Sequence, residues 1–114
     1  LTWVNSYDEL LASPVNTMNG TVIIYGIEAV IQSFMNDDDP RKSFYKWLDQ
    51  WLNWEKETAQ SKLVLIGVDV GKGVVPIEKE KRNYRDLVGW CYQDVVKEAT
   101  RVDIIWYGLN QQLK

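Results

Sequence analysis

Not one histidine occurs among the 114 residues, and that absence removes much chemistry at once. A Ser–His or Cys–His nucleophile pair and a His-rich zinc site cannot be built from this chain alone. The single cysteine, Cys91, excludes an internal disulfide framework and fits a reducing cytoplasm. Long apolar runs are missing too: none approaches the roughly 18 to 20 residues a membrane helix needs, and the first residues do not resemble a signal peptide. Positive charge is in deficit, with a formal net charge of −3. That balance argues against a sequence-blind binder of nucleic-acid backbones. Prolines and glycines are few, and no repeat, linker or low-complexity segment stands out. The sequence opens on Leu1 without a methionine, as a segment of a longer protein would.

What is present is the composition of one globular domain over residues 1–114, 46% apolar and 25% charged. Ser6-Tyr7-Asp8-Glu9 has capping-box spacing and predicts a short helix ending near Ser13-Pro14. Thr21-Val22-Ile23-Ile24-Tyr25 is largely β-branched and predicts a strand buried on both faces. A helix is expected over 27–35, then the acidic turn Asn36-Asp37-Asp38-Asp39. Asp39-Pro40 reads as an N-cap followed by proline at the first helical position. The helix it opens runs to about Glu57, with Phe44, Trp47, Leu48, Trp51 and Trp54 at three- and four-residue spacings. Leu63-Val64-Leu65-Ile66 predicts the next strand. A helix follows over 79–99, with Tyr84, Leu87, Val88, Cys91, Val95 and Ala99 inward. Residues 102–107 predict a last strand, and Gly108 a turn into a short tail. Strands alternating with helices point to parallel pairing through right-handed crossovers.

The stretch GVDVGKGVVP, residues 67–76, puts a lysine between glycines directly after a buried strand. It is not a Walker A loop, which needs G-x-x-x-x-G-K-[ST]. Only Val68, Asp69 and Val70 separate Gly67 from Gly71, and Gly73 follows Lys72 where a hydroxyl is required. Val74-Val75-Pro76 starts no helix, so no helix dipole faces an anion there.

That stretch instead resembles the Asn-Glu-Val-Gly-x-Gly-Ile-Val-Pro segment of the bifunctional adenosylcobinamide kinase/adenosylcobinamide-phosphate guanylyltransferases, the CobU family. Arg82-Asn83-Tyr84-Arg85-Asp86 is similar to the family's Arg-x-Phe-Arg-Asp. Gly89, Gln93 and Ala99 fall at its spacing for Gly-x-x-Asn-Gln and a later Ala-Asp pair, and Gly108 to Lys114 resembles its closing segment. The resemblance is closest from Leu63 onward and looser over Trp3 and residues 22–35. It implies an α/β fold of the three-layer P-loop (RecA-like) type with a mostly parallel sheet, lacking the N-terminal P-loop strand. It also implies cobinamide phosphorylation and GMP transfer through a guanylylated histidine, with GTP or ATP and Mg²⁺ as cofactors, in a homo-oligomer. By the same resemblance, Asp69, Lys72, Arg85 and Asp86 are candidate ligand contacts, and Gly71, Gly73, Pro76 and Gly89 are structural positions.

The departures from the family pattern are specific. Its Walker A loop and guanylylated histidine lie before the segment where this sequence begins. Tyr25 stands at the acidic, metal-holding strand end, Glu28 at a threonine and Val30 at a tryptophan. Tyr7 stands at a glutamate, Val68 and Tyr92 at asparagines, Asp69 at a glutamate and Thr100 at an aspartate. Phosphoryl transfer depends on positioning and on cations that neutralise spreading charge, so these changes remove the means of supplying it. Three readings stay open. The chain is a non-catalytic relative that keeps a nucleotide or corrinoid ligand, the C-terminal part of an active enzyme, or an interaction domain with no ligand. The Trp47/Trp51/Trp54 stripe is core or a contact between subunits. Arg85 and Asp86 pair to hold helix to loop or meet a ligand. Asp37–Asp39 face solvent, and Cys91 is packed and unreactive.

Overall fold

A computed structural model describes residues 1–11, 13–14, 18–68, 78–106 and 109–114. Among the described residues eight elements follow one another: β1 (Thr2–Asn5), β2 (Thr21–Tyr25), α1 (Ile27–Ser33), α2 (Pro40–Glu57), β3 (Lys62–Ile66), α3 (Lys79–Glu98), β4 (Asp103–Trp106) and β5 (Leu109–Gln112). Strands β1, β2 and β3 form a parallel sheet in that order, with Val22 opposite Thr2 and Leu63, and Ile24 opposite Val4 and Leu65. The chain is α/β with a parallel sheet, as the alternation of elements predicts.

Parallel strands laid down in sequence order by right-handed crossovers place their helices on one face. The burial agrees. Val4, Val22 and Ile24 on one side of the pleat are buried in a core with Ile27, Val30 and Ile31 of α1, Phe44, Leu48 and Trp51 of α2, and Leu87, Val88 and Cys91 of α3. Thr21, Ile23 and Tyr25, which alternate with them, are only half-buried. The expectation of a strand buried on both faces is therefore corrected: a continuous apolar run does not reveal which of its faces receives helices.

Helix α2 starts as predicted. The Asp39 carboxylate accepts the Lys42 backbone N–H at 3.2 Å and Pro40 occupies the first turn, where its missing N–H costs nothing. Its tryptophans do not face outward. Trp47, Trp51 and Trp54 are 4%, 0% and 8% exposed, in successive ring contacts 5.9 to 6.3 Å apart. The Trp47 indole donates to the Leu11 carbonyl, and that of Trp54 to the Met18 carbonyl. The chain's own core takes up all three rings. An α2–α3 tie completes the layer: Arg41 grips the buried Asp94 with two hydrogen bonds of 2.8 and 2.9 Å.

Two further expectations fail. Residues 6–8 form a turn and not a helix. The Asn5 side chain accepts the Tyr7 N–H, and the Asn5 carbonyl accepts those of Asp8 and Glu9. Asn5 thus satisfies locally the donors that a capping box would have used. The preceding residues form β1, which no period-2 pattern announces in so short a segment. At the other end the supposed tail is a strand: β5 pairs antiparallel with β4, Asp103 opposite Gln112, as a separate ribbon. The predicted turn at Gly108 lies outside the described residues. No described helix is long and apolar enough to cross a membrane.

Candidate functional site

The carboxyl ends of β1, β2 and β3 lie side by side, where open α/β sheets receive ligands. Ser6 N–H donates to the Tyr25 carbonyl at 2.9 Å, and Gly26 N–H to that of Ile66 at 2.8 Å, so pairing continues one residue past each strand. Gly26 then turns the chain into α1 with φ 82°, a left-handed conformation natural to glycine. A β-carbon there would lie 2.9 Å from the Tyr7 ring, so the glycine also lets Tyr7 lie against the backbone. One residue after Ile27, in the first turn of α1, Glu28 comes to this same end of the sheet.

Glu28 is 1% exposed, and a carboxylate so buried requires partners. Its Oε1 accepts the Val68 backbone N–H at 3.1 Å, and its Oε2 accepts the Tyr7 hydroxyl. Its own backbone carbonyl accepts the Tyr84 hydroxyl at 3.1 Å. From the facing helix, the Tyr92 hydroxyl donates to the Val68 carbonyl at 2.6 Å. Val68 is therefore held on both its N–H and its carbonyl as the chain leaves β3. Gly67 makes this possible. A β-carbon at that position would come within 2.5 Å of the Tyr92 hydroxyl oxygen and 2.9 Å of Ile27.

The electrostatics follow from these contacts. The hydrogen bond to Glu28 holds the Tyr7 phenol well above the ordinary tyrosine value, with burial and the Glu28 charge adding to it. Burial raises the Tyr84 phenol, and the same carboxylate charge adds to that. Tyr25, at the strand end where the resemblance leads one to expect an acid, stacks on Trp3 at 6.2 Å and 20° and tilts against Tyr7 at 6.2 Å. An open crevice of about 560 Å³ lies beside Tyr7, walled by Ser6, Asp8, Glu9, Ala29 and Gln32.

Of the residues singled out from sequence, Asp69, Gly71, Lys72, Gly73 and Pro76 lie outside the described residues. Arg85 and Asp86 do pair, at 3.2 Å, but they are neighbours on α3, so the pair does not tie that helix to a loop. Gly89 is exposed, and among the described residues no atom stands within 4 Å of where its β-carbon would lie. Cys91 is fully buried as expected, and burial pushes its thiol up to about 12. Among the described residues no three His, Cys, Asp or Glu side chains are placed to hold a metal ion.

The network that the structure does assemble was not anticipated as a site, yet its signal was present. Tyr7, Tyr25, Glu28, Val68 and Tyr92 are five of the positions at which the resemblance described above implies a different residue. They come from four separate stretches of chain and meet at one end of the sheet.

Comparison with known proteins agrees with the earlier resemblance. The family model described as "Cobinamide kinase / cobinamide phosphate guanyltransferase" matches residues 3–113. The bifunctional adenosylcobalamin biosynthesis protein CobU of Escherichia coli (strain K12) is 25% identical over 118 aligned residues, covering 94% of this chain and 65% of that protein. The bifunctional adenosylcobalamin biosynthesis protein CobP of Pseudomonas aeruginosa is 34% identical over 53 residues, 46% of this chain and 31% of that protein. The chain thus spans 65% of the length of the Escherichia coli relative.

Proposed function

This chain belongs to the cobinamide kinase / cobinamide phosphate guanyltransferase family, with its α/β P-loop type of fold; on that premise we propose that it is a member in which the family's strand-end chemistry has been given up while the scaffold is kept. By itself it carries out neither phosphoryl nor guanylyl transfer. The class of ligand it keeps is corrinoid or nucleotide, with any nucleotide held away from this end of the sheet.

One observation carries this reading. The positions that depart from the family pattern at the ligand end of the sheet bond to one another. Tyr25, in place of an acid, packs in an aromatic group with Trp3 and Tyr7. Glu28, in place of a threonine, spends both carboxylate oxygens on Val68 and Tyr7. A metal–phosphate site needs carboxylates open to a hydrated ion and donors free to meet charge as it spreads. Here the donors and the buried carboxylate satisfy each other.

The test is turnover. The purified chain is incubated with adenosylcobinamide and GTP or ATP in magnesium, and phosphorylated and guanylylated products are sought together with GTP-dependent labelling of the protein. None is expected. Product above background that disappears in a Lys72→Ala, Asp69→Ala double variant would replace this reading with that of an active enzyme.

A further inference from the structure

We propose that Glu28 is a built-in anion that closes the carboxyl end of the sheet to polyphosphate ligands. This deepens the reading above and rests on it. A phosphate oxygen seated beyond the strand ends would be received by backbone N–H groups and hydroxyls at the strand exits. Two such donors are described here, the Val68 N–H and the Tyr7 hydroxyl, and the Glu28 carboxylate occupies both. The residue is 99% buried by its neighbours, so the contact is part of the packed structure and not a surface side chain resting in a groove.

Charge works in the same direction as occupancy. A negative group a few ångströms from an incoming triphosphate repels it, and solvent reaching the 41% exposed Val68 and 57% exposed Tyr7 screens part of that repulsion. Among the described residues no Lys or Arg pairs with Glu28, which accepts hydrogen bonds from Tyr7, Val68 and Tyr84. The nearby crevice adds Asp8 and Glu9 to its wall. The end of the sheet therefore discriminates by charge, refusing polyphosphates and tolerating neutral or cationic ligands.

The clamp from α3 makes the closure firm. Tyr92 fixes the Val68 carbonyl while Glu28 fixes its N–H, and Tyr84 anchors Glu28 through its backbone. An anion that displaced the carboxylate would have to break this arrangement on both sides of one residue.

The experiment titrates inorganic tripolyphosphate, with and without magnesium, into isotope-labelled chain and follows the Val68 amide resonance alongside calorimetry. The wild type is expected to show no saturable shift at Val68. Glu28→Thr is expected to bind saturably, at least about tenfold tighter than the detection limit that the wild-type titration sets, with Val68 moving on titration. Glu28→Gln loses the charge but keeps the bulk and the acceptor, so it gains less than Glu28→Thr. It also serves as the test variant if the threonine form does not fold. Saturable binding at Val68 in the wild type overturns the proposal, as does a folded variant that gains nothing. Either result leaves the wild-type turnover assay to judge the family-level reading separately.

Discussion

Glu28 and Val68 lie forty positions apart in the chain, and the carboxylate of one accepts the backbone N–H of the other at 3.1 Å. This contact joins the first turn of α1 to the exit of β3. The carboxylate is buried although Val68 is 41% exposed, and the Tyr7 hydroxyl completes the carboxylate's needs. Tyr7→Phe should therefore leave a buried carboxylate short of one donor. We expect a loss of about 1–3 kcal/mol in urea unfolding, the cost of an unsatisfied buried polar group, with little change in the m-value. An unchanged midpoint would mean that the hydroxyl contributes nothing.

Two glycines give opposite expectations for the same substitution. Gly67→Ala forces a β-carbon to 2.5 Å from the Tyr92 hydroxyl oxygen and should destabilise by about 1–3 kcal/mol, loosening the Val68 clamp. Gly89→Ala adds its methyl to open space on α3 and should stabilise by about 0.5–1 kcal/mol, the helix-propensity difference. Thermal melts of both variants decide it. Destabilisation by Gly89→Ala would indicate a contact on that face of α3.

The tryptophans of α2 act in the core, so Trp47→Ala should cost about 3–5 kcal/mol. It should do so without changing the oligomeric state of the protein that remains folded, as sedimentation would show. Dissociation of an oligomer at unchanged intrinsic stability would reinstate these rings as a subunit contact.

Acid should weaken the tie between α2 and α3. The Arg41 hydrogen bonds hold the Asp94 carboxyl below the ordinary carboxylate value. A depressed folded value means that the stabilisation is complete above the unfolded value of about 3.9 and is lost as pH falls through the folded one. Asp94→Asn should accordingly melt lower than wild type at neutral pH, and the gap should close toward the acid end. A gap independent of pH would rule out the ion pair as its source.

Alkali acts on the opposite side. The Cys91 thiol is raised to about 12, against about 8.5 in an unfolded chain. Between these values the unfolded state gives up a proton that the folded state keeps, so stability falls as pH rises. Cys91→Ala should flatten the first part of that decline, before the tyrosines titrate. Native Cys91 should also resist iodoacetamide at mildly alkaline pH and react only on unfolding.

Much of this molecule is legible in its sequence because the relevant forces are local. The Asp39-Pro40 cap, the three- and four-residue spacing of Phe44 to Trp54, the β-branched run at 21–25 and the long amphipathic α3 each rest on neighbours within a turn or a pleat. Segments with weak local preference read poorly. Four residues of β1 carry no usable period, and Asn5 competes for the donors that would have started a helix after them. Strand β5 exists only because β4 lies beside it.

The chemistry of the strand ends is the part that required three dimensions. From sequence, Tyr7, Tyr25, Glu28, Val68 and Tyr92 were five unrelated exceptions to a pattern, and hydrophobic periodicity says nothing about a polar side chain's partner. Parallel pairing of β1, β2 and β3 brings the exits together, and α3 adds its tyrosines across them. Composition and patterning thus determined that the chain is an α/β domain with a tryptophan-rich helix, and its motifs resembled those of the family. Only tertiary structure decided that the substituted residues satisfy one another, because hydrogen bonds depend on distance through space and not along the chain.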